Sequence, residues 1–295
     1  MKINIVNLDK EGWILTKFAK KIFNGLKKKN HEVFLSKKPR NNVDVNHYII
    51  FLFLKNNHSF YPNNTINTTM LTHVNDQIRY EKIKNTSKFL DAGIAMSKHH
   101  AREIELKKLG LKKVFYVVPP HDNDQMLKKI NFGIFSNLYT DGRKNEENFE
   151  KAFLKLDPDL FKLTIIGKGW HNIVKKLREN GIEVNHWNFF FRYIYINEFR
   201  KIDYLIYLGN DEGSMTFMDA IQLGVKTIMI PQGFQYDLKD LITYKLDKNL
   251  RNFDKILLEI LNSKKIFKKY KDILTWDNYV EKHLDIWKKI QKSKN

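Results

Sequence analysis

The densest run of chemistry-bearing residues is Gly209-Asn210-Asp211-Glu212-Gly213-Ser214-Met215-Thr216-Phe217-Met218-Asp219-Ala220. Asp211 and Asp219 stand eight residues apart, Glu212 and Asp219 seven. Gly213 and Ser214 suit the opening of a helix, whose first backbone amides bind phosphate oxygens. Asp219 then falls about one turn into that helix. Ionised carboxylates offer paired acceptor sites to the hydroxyls of a ribose or a sugar. An N-capping role accounts for one of Asp211 and Glu212, but not for the whole run.

Four further segments carry candidate chemistry. Asp141-Gly142-Arg143-Lys144-Asn145 puts two adjacent cations before a helix, a forked donor and a point charge suited to a diphosphate. A solvated turn is the plain alternative for such a pair. Gly167-Lys168-Gly169 lets a ligand approach the backbone closely, although a bare GxG is a weak signal. His73, in Thr72-His73-Val74-Asn75-Asp76, follows a strand and suits ligand contact or proton transfer, or a hydrogen bond at a loop start. Gly12, in Asp9-Lys10-Glu11-Gly12-Trp13, precedes a helix and would let amides reach a phosphate, or is a turn glycine.

These segments share one property: each follows an expected strand. Ile3–Val6 is apolar, Leu15, Phe18, Ala19, Ile22, Phe23 and Leu26 recur at helical spacing, and Val33–Leu35 is apolar again, a βαβ unit. Strands are expected at 48–54, 69–73, 92–96 and 114–118, with a helix over 98–109 ended by Gly110. The 55–68 stretch reads as a loop, and Pro119-Pro120 stops regular structure before a polar connection over 122–129. A second series follows, with strands at 132–136, 163–166, 184–187, 204–208 and 226–230. Its helices are expected at 147–156, 170–180, 196–201, 216–223 and 279–290. Strands alternating with helices in two blocks define an α/β chain of two Rossmann-like domains. Ligands of such sheets bind beyond the carboxyl ends of the strands, so the candidate segments of both domains should face one central cleft.

Composition narrows the partners. The 295 residues are 42% hydrophobic and 29% charged, which excludes disorder as the dominant state. There is no Cys, hence no disulfide framework, thiol nucleophile or cysteine metal site. No signal-peptide pattern opens the chain, and its longest apolar run is far below the roughly 20 residues that cross a bilayer. A cytoplasmic protein is expected, with peripheral attachment to the inner face of a membrane. The net charge is +19, and residues 1–130 carry 24 Lys and Arg against 11 Asp and Glu. That basic half suits an anionic membrane surface or a polyanionic acceptor, through Lys20, Lys21, Lys27, Lys28 and Lys29, which lie off the apolar stripe of the first helix. Nucleic acid ranks below these, and a chain-wide Lys bias would scatter the charge evenly.

The chain resembles the retaining GT-B glycosyltransferases of the group 1 type, which include glycogen synthase and many mannosyl- and glucosyltransferases. DEGSMTFMDA (211–220) is similar position by position to their EGGPMTFLEA segment. GRKN (142–145) resembles their phosphate clamp, IIGKGW (165–170) their strand end, and AMSKHH (95–100) and YVVPPHDND (116–124) the stretches before their interdomain linker. The final helix, with Trp276, Tyr279 and Trp287, resembles the segment that returns to the first domain. The resemblance spans nearly the whole chain in order. Four departures stand out: both family Glu are Asp, the usual clamp Arg falls at Asn137, His121 replaces a Gly, and the first domain is short.

The resemblance implies a GT-B fold with an acceptor-side domain over 1–125, a nucleotide-sugar domain over 126–275 and a returning helix over 276–295. It implies transfer of a sugar from a nucleotide diphosphate to a carbohydrate or lipid-linked acceptor hydroxyl, with retention and with no metal or other cofactor, in cell-surface glycan or glycolipid synthesis. Asp211, with Glu212 as its rival, would contact the donor sugar, as would His73. Asp219 would hold the ribose. Gly213, Ser214, Met215 and Thr216 would offer amides to the distal phosphate and sugar. Arg143 and Lys144 would neutralise the diphosphate, Gly167 and Lys168 would line the donor site, and Gly12 would make room for phosphate and acceptor. Asp122-Asn123-Asp124 has the spacing of a metal-binding DxD but lies in the linker. Two other readings remain: a transferase modifying DNA bases, and a non-catalytic basic module that binds nucleic acid or membrane on a decayed GT-B fold.

Overall fold

A computed structural model describes residues 1–9, 14–122, 127–209 and 213–294, without the side chains of residues 146 and 147. Gly12, Asp211, Glu212, Asn123 and Asp124 lie outside the described residues. The chain forms two compact units, Met1–Gln125 with Lys271–Asn295, and Met126–Tyr270.

In the first unit the order is β1 (Lys2–Val6), α1 (Ile14–Lys28), β2 (Glu32–Ser36), β3 (Val45–Tyr48), β4 (Ile66–Leu71), α2 (Gln77–Thr86), β5 (Ala92–Ala95), α3 (Lys98–Leu106) and β6 (Val114–Tyr116). In the second it is β7 (Ile130–Phe135), α4 (Glu146–Phe153), β8 (Phe161–Ile166), α5 (His171–Glu179), β9 (Val184–Trp187), α6 (Arg192–Phe199), β10 (Tyr204–Tyr207), α7 (Thr216–Leu223), β11 (Lys226–Met229) and β12 (Tyr244–Lys245). The long α8 (Phe253–Ile273) follows, and α9 (Trp276–Lys292) lies in the first unit. Each unit holds one six-stranded sheet, in the orders β2-β1-β3-β4-β5-β6 and β12-β11-β10-β7-β8-β9. Every pairing in both is parallel. The chain is thus α/β with two Rossmann-like sheets. In the second sheet the order reverses between β7 and β10, and a crevice at their carboxyl ends is where such sheets hold ligands.

Two expectations fail locally. The run 48–54 is not a strand: β3 ends at Tyr48, and Ile49, Ile50, Phe51 and Leu54 are buried in the loop beyond it. The strand itself was hidden by polar residues. Asn46 and His47 are fully buried there, held by Asn4 Nδ2 at 2.9 Å and by Thr68 Oγ1 at 3.0 Å. Helices α2 and α8 were not among the expected elements, although Phe253, Ile256, Leu257, Ile260 and Leu261 enter the core at helical spacing.

Helix α9 completes the first core. Thr275 caps it by accepting from Asn278 N, and Trp276, Tyr279, Val280, Leu284, Trp287 and Ile290 are buried. Phe18 of α1 meets Trp276 and Tyr279 edge to face at 5.2 and 5.8 Å. A Cβ on Gly25 would stand 2.7 Å from Val280 Cγ2, so the glycine sets how closely the two helices approach.

His47 of β3 and His283 of α9 form a buried pair, their rings 5.3 Å apart. Neither Nε2 has a partner among the described residues. Burial, reinforced by the neighbouring His283, holds His47 well below its ordinary value, and burial lowers His283 to about 4. Both rings are therefore neutral in the fold, while the unfolded chain takes up protons below about pH 6.5. Their contribution is complete above that pH and is lost as pH falls towards 4, by about 1.4 kcal/mol per ring and pH unit at most. Urea unfolding of the wild type and His283→Gln across pH 7 to 5 should show the stability difference between them narrowing. A constant difference would contradict this.

Candidate functional site

The site grows from the loop after β7. Gly167, at the end of β8, has φ +150°, and a Cβ there would lie 2.1 Å from Ser136 O. Only glycine allows the two loops to touch in this way. Trp170 Nε1 donates to the same Ser136 oxygen at 2.7 Å, Lys168 N donates to Asn137 Oδ1 at 2.8 Å, and Leu138 N donates to Lys168 O at 2.8 Å. The glycines of Gly167-Lys168-Gly169 thus lock the post-β8 turn against residues 136–138. Gly167 also faces a ligand-sized space, while the Lys168 side chain is exposed.

That space is a cavity of about 430 Å³ at the carboxyl ends of β7 and β8 and the start of α7. Asn137, Gly167, Arg192, Tyr195, Thr216 and Asp219 line it, with Phe135 and Phe190 as aromatic wall. Asp219 lies in the first turn of α7, and its Oδ2 accepts from the Tyr195 hydroxyl. Burial first, then the hydrogen bond and charge of Asp219, raise the Tyr195 phenol far above its ordinary value, so it stays a donor. The phenol fixes the carboxylate by one oxygen and leaves acceptor capacity towards the cavity. Arg192 opens α6, its guanidinium 5.6 Å from the Tyr195 ring. Met215 lines the cavity and is the N-cap residue of α7, and Ser214 is nearly buried, its Oγ 2.6 Å from Thr216 Oγ1. Gly213 has φ +109°, and a Cβ there would stand 2.8 Å from the Phe234 ring.

A second, smaller pocket adjoins the first through Ser136, which lines both. Lys144 enters this one, with Nζ donating to the Tyr207 hydroxyl at 3.0 Å. Asn145, left-handed at φ +53°, anchors the turn by donating from Nδ2 to Leu208 O at 2.7 Å. Arg143 goes elsewhere. It is exposed, pairs with Asp141 at 3.3 Å and stacks 3.9 Å from the Tyr139 ring centre. It lines neither pocket.

The structure therefore brings Gly167, Met215, Thr216 and Asp219 to one cavity and Lys144 to its neighbour. Arg192 was not singled out from the sequence. Its signal was a lone cation after Phe189-Phe190-Phe191, an aromatic run at the end of a strand series. His73 stands in the first unit, exposed in the loop between β4 and α2, with no hydrogen bond to its ring among the described residues. Asp122 is engaged by Lys17 and by Trp276 Nε1 at 3.1 Å, with Lys21 at 3.8 Å, so it serves the packing of α1 and α9.

No protein-family model and no curated protein matches the sequence. Among solved structures, the lipopolysaccharide outer core galactosyltransferase WaaB in its apo form is similar over all of both chains, at 13% identity and a TM-score of 0.39. Anabaena HepE in complex with UDP-glucose is similar over 99% of both chains at 12% identity and a TM-score of 0.35. AviGT4, a glycosyltransferase involved in avilamycin A biosynthesis, is similar over 99% of this chain and 98% of its own, at 12% identity and a TM-score of 0.34. At these values the likeness transfers no activity to this chain.

Proposed function

We propose that this chain is a glycosyltransferase that moves a sugar from a nucleotide-diphosphate donor to the hydroxyl of a carbohydrate or lipid-linked acceptor, with retention, in cell-surface glycan or glycolipid synthesis. One observation carries the reading. A cavity at the carboxyl ends of β7 and β8, bordered by the starts of α6 and α7, is lined by a fixed carboxylate, a cation, aromatic walls and the amide-bearing start of a helix. Base, ribose and diphosphate are the parts of one ligand that need this combination. In this reading Asp219 accepts from the ribose hydroxyls. Arg192, from the cavity, and Lys144, from the adjoining pocket, neutralise the diphosphate as the bond from the anomeric carbon to its oxygen breaks. The acceptor oxygen attacks from the face the diphosphate leaves, and its proton passes to the departing diphosphate oxygen. Fixed side-chain charges supply the stabilisation, and no metal is required. Asp211, Glu212 and His73 remain the proposed contacts to the sugar itself.

Incubation with a panel of nucleotide sugars tests the reaction. Release of nucleoside diphosphate should depend on one donor, and proton NMR of the product should show the donor's anomeric configuration. An inverted anomer would contradict retention. The ribose role is separable as well. Asp219→Asn should weaken a nucleoside diphosphate by roughly 1.5–3 kcal/mol, the scale of a hydrogen bond to a charged group, and should leave inorganic pyrophosphate affinity unchanged. Equal losses for both ligands would assign Asp219 to another partner.

A further inference from the structure

The charge surplus of residues 1–130 points to α1, but several of its lysines are engaged within the unit. Lys17 and Lys21 face Asp122, Lys29 meets Glu281 at 2.5 Å, and Lys27 lies 4.6 Å from the Phe23 ring centre. A different surface joins charge to exposed apolar groups. Residues 264–271 read Lys-Lys-Ile-Phe-Lys-Lys-Tyr-Lys, five lysines and three large apolar side chains. They belong to the C-terminal half of α8. In the N-terminal half Phe253, Ile256, Leu257, Ile260 and Leu261 enter the core, but beyond Leu261 the large apolar side chains turn outward. Ile266, Phe267 and Tyr270 are 57%, 56% and 53% exposed, and Ile273 is 42% exposed.

Helical spacing puts Ile266, Tyr270 and Ile273 on one face, with Phe267 beside them. By the same spacing Lys265 and Lys269 border one side of this stripe and Lys271 the other. Lys268 falls on the opposite face, where Asp157 and Asp159 hold it at 2.9 and 2.8 Å. That double ion pair joins the face opposite the apolar stripe to the segment between α4 and β8.

We propose that the C-terminal half of α8 docks on an anionic bilayer surface, its Ile, Phe and Tyr side chains entering the headgroup boundary and its lysines meeting the headgroups. This does not depend on the catalytic reading. The combination is that of an interfacial helix, with bulky apolar groups on one face and Lys along its flanks. A second copy of the chain fits less well, because a two-fold contact through this stripe would bring the lysine borders together. A nucleic acid would engage the lysines but leave the aliphatic stripe without a partner.

Sedimentation with vesicles tests this. The protein should bind vesicles containing anionic phospholipid, bind neutral ones weakly, and release as salt rises. Phe267→Ser with Tyr270→Ser, and separately Lys265→Glu with Lys269→Glu, should each lower the bound fraction about tenfold or more. All four residues are exposed, so circular dichroism should show unchanged folding. Phe267→Trp should gain a fluorescence component quenched by brominated acyl chains. Wild-type binding by the serine variant, or no quenching of the new tryptophan, would overturn the proposal. So would a dimer in light scattering that the serine variant abolishes, or retention by duplex DNA with no vesicle binding.

Discussion

Gly167→Ala is expected to cost the second unit at least about 3 kcal/mol, a strained backbone plus a clash that nothing relieves. At φ +150° an L side chain is disfavoured before any contact is considered. The new methyl would then meet Ser136 O at 2.1 Å and Ser136 C at 2.6 Å. Both are backbone atoms, and the oxygen is already tied to Trp170 Nε1. The loop after β7 would have to leave the post-β8 turn, and the floor of the cavity would go with it. Urea unfolding should show a lower midpoint, with nucleotide affinity lost in parallel. Gly142→Ala is the natural control, since a Cβ there meets nothing within 4 Å although its φ is also positive. A loss at Gly167 no larger than at Gly142 would mean that the contact with Ser136 does not hold the site together.

Arg192→Ala and Lys144→Ala should each weaken nucleoside diphosphate binding by roughly 1.5–3 kcal/mol, the value of a hydrogen bond to a charged group. Arg143→Ala should change it little. Arg143 and Lys144 are sequence neighbours, yet Arg143 is spent on Asp141 and the Tyr139 ring, while Lys144 points to Tyr207 in the pocket beside the cavity. Calorimetry on the three variants separates the cases. A large loss for Arg143 with none for Arg192 would place the diphosphate outside the cavity that Asp219 lines.

That contrast shows what the residue pattern makes legible. Asp219 and Thr216 could be placed on a helix after a strand from DEGSMTFMDA alone, because the glycine, the hydroxyl residues and the apolar spacing all agree. Strands such as Val184–Trp187 could be bounded to the residue. Arg192 could not be assigned. Its place beside Asp219 depends on the order β10-β7-β8-β9, which brings the start of α6 to the α7 end of the sheet, and no local pattern encodes strand order. Nor does any local pattern encode that Arg143 meets Asp141 and the Tyr139 ring while its neighbour Lys144 meets Tyr207, since those partners come from different elements. Strand β3 was obscured for the opposite reason. Its polar side chains are buried by pairing across the sheet, and periodicity in hydrophobicity does not register such pairs.

On the proposed function, the cavity holding Asp219 and Arg192 binds a nucleoside diphosphate. Titration calorimetry of the full chain with UDP, GDP, ADP, CDP and dTDP, alongside inorganic pyrophosphate, tests it most directly. At least one of the nucleotides should bind more tightly than pyrophosphate, and Arg192→Ala and Asp219→Asn should both weaken it. Binding of none of the five, or binding that both variants leave intact, would contradict it.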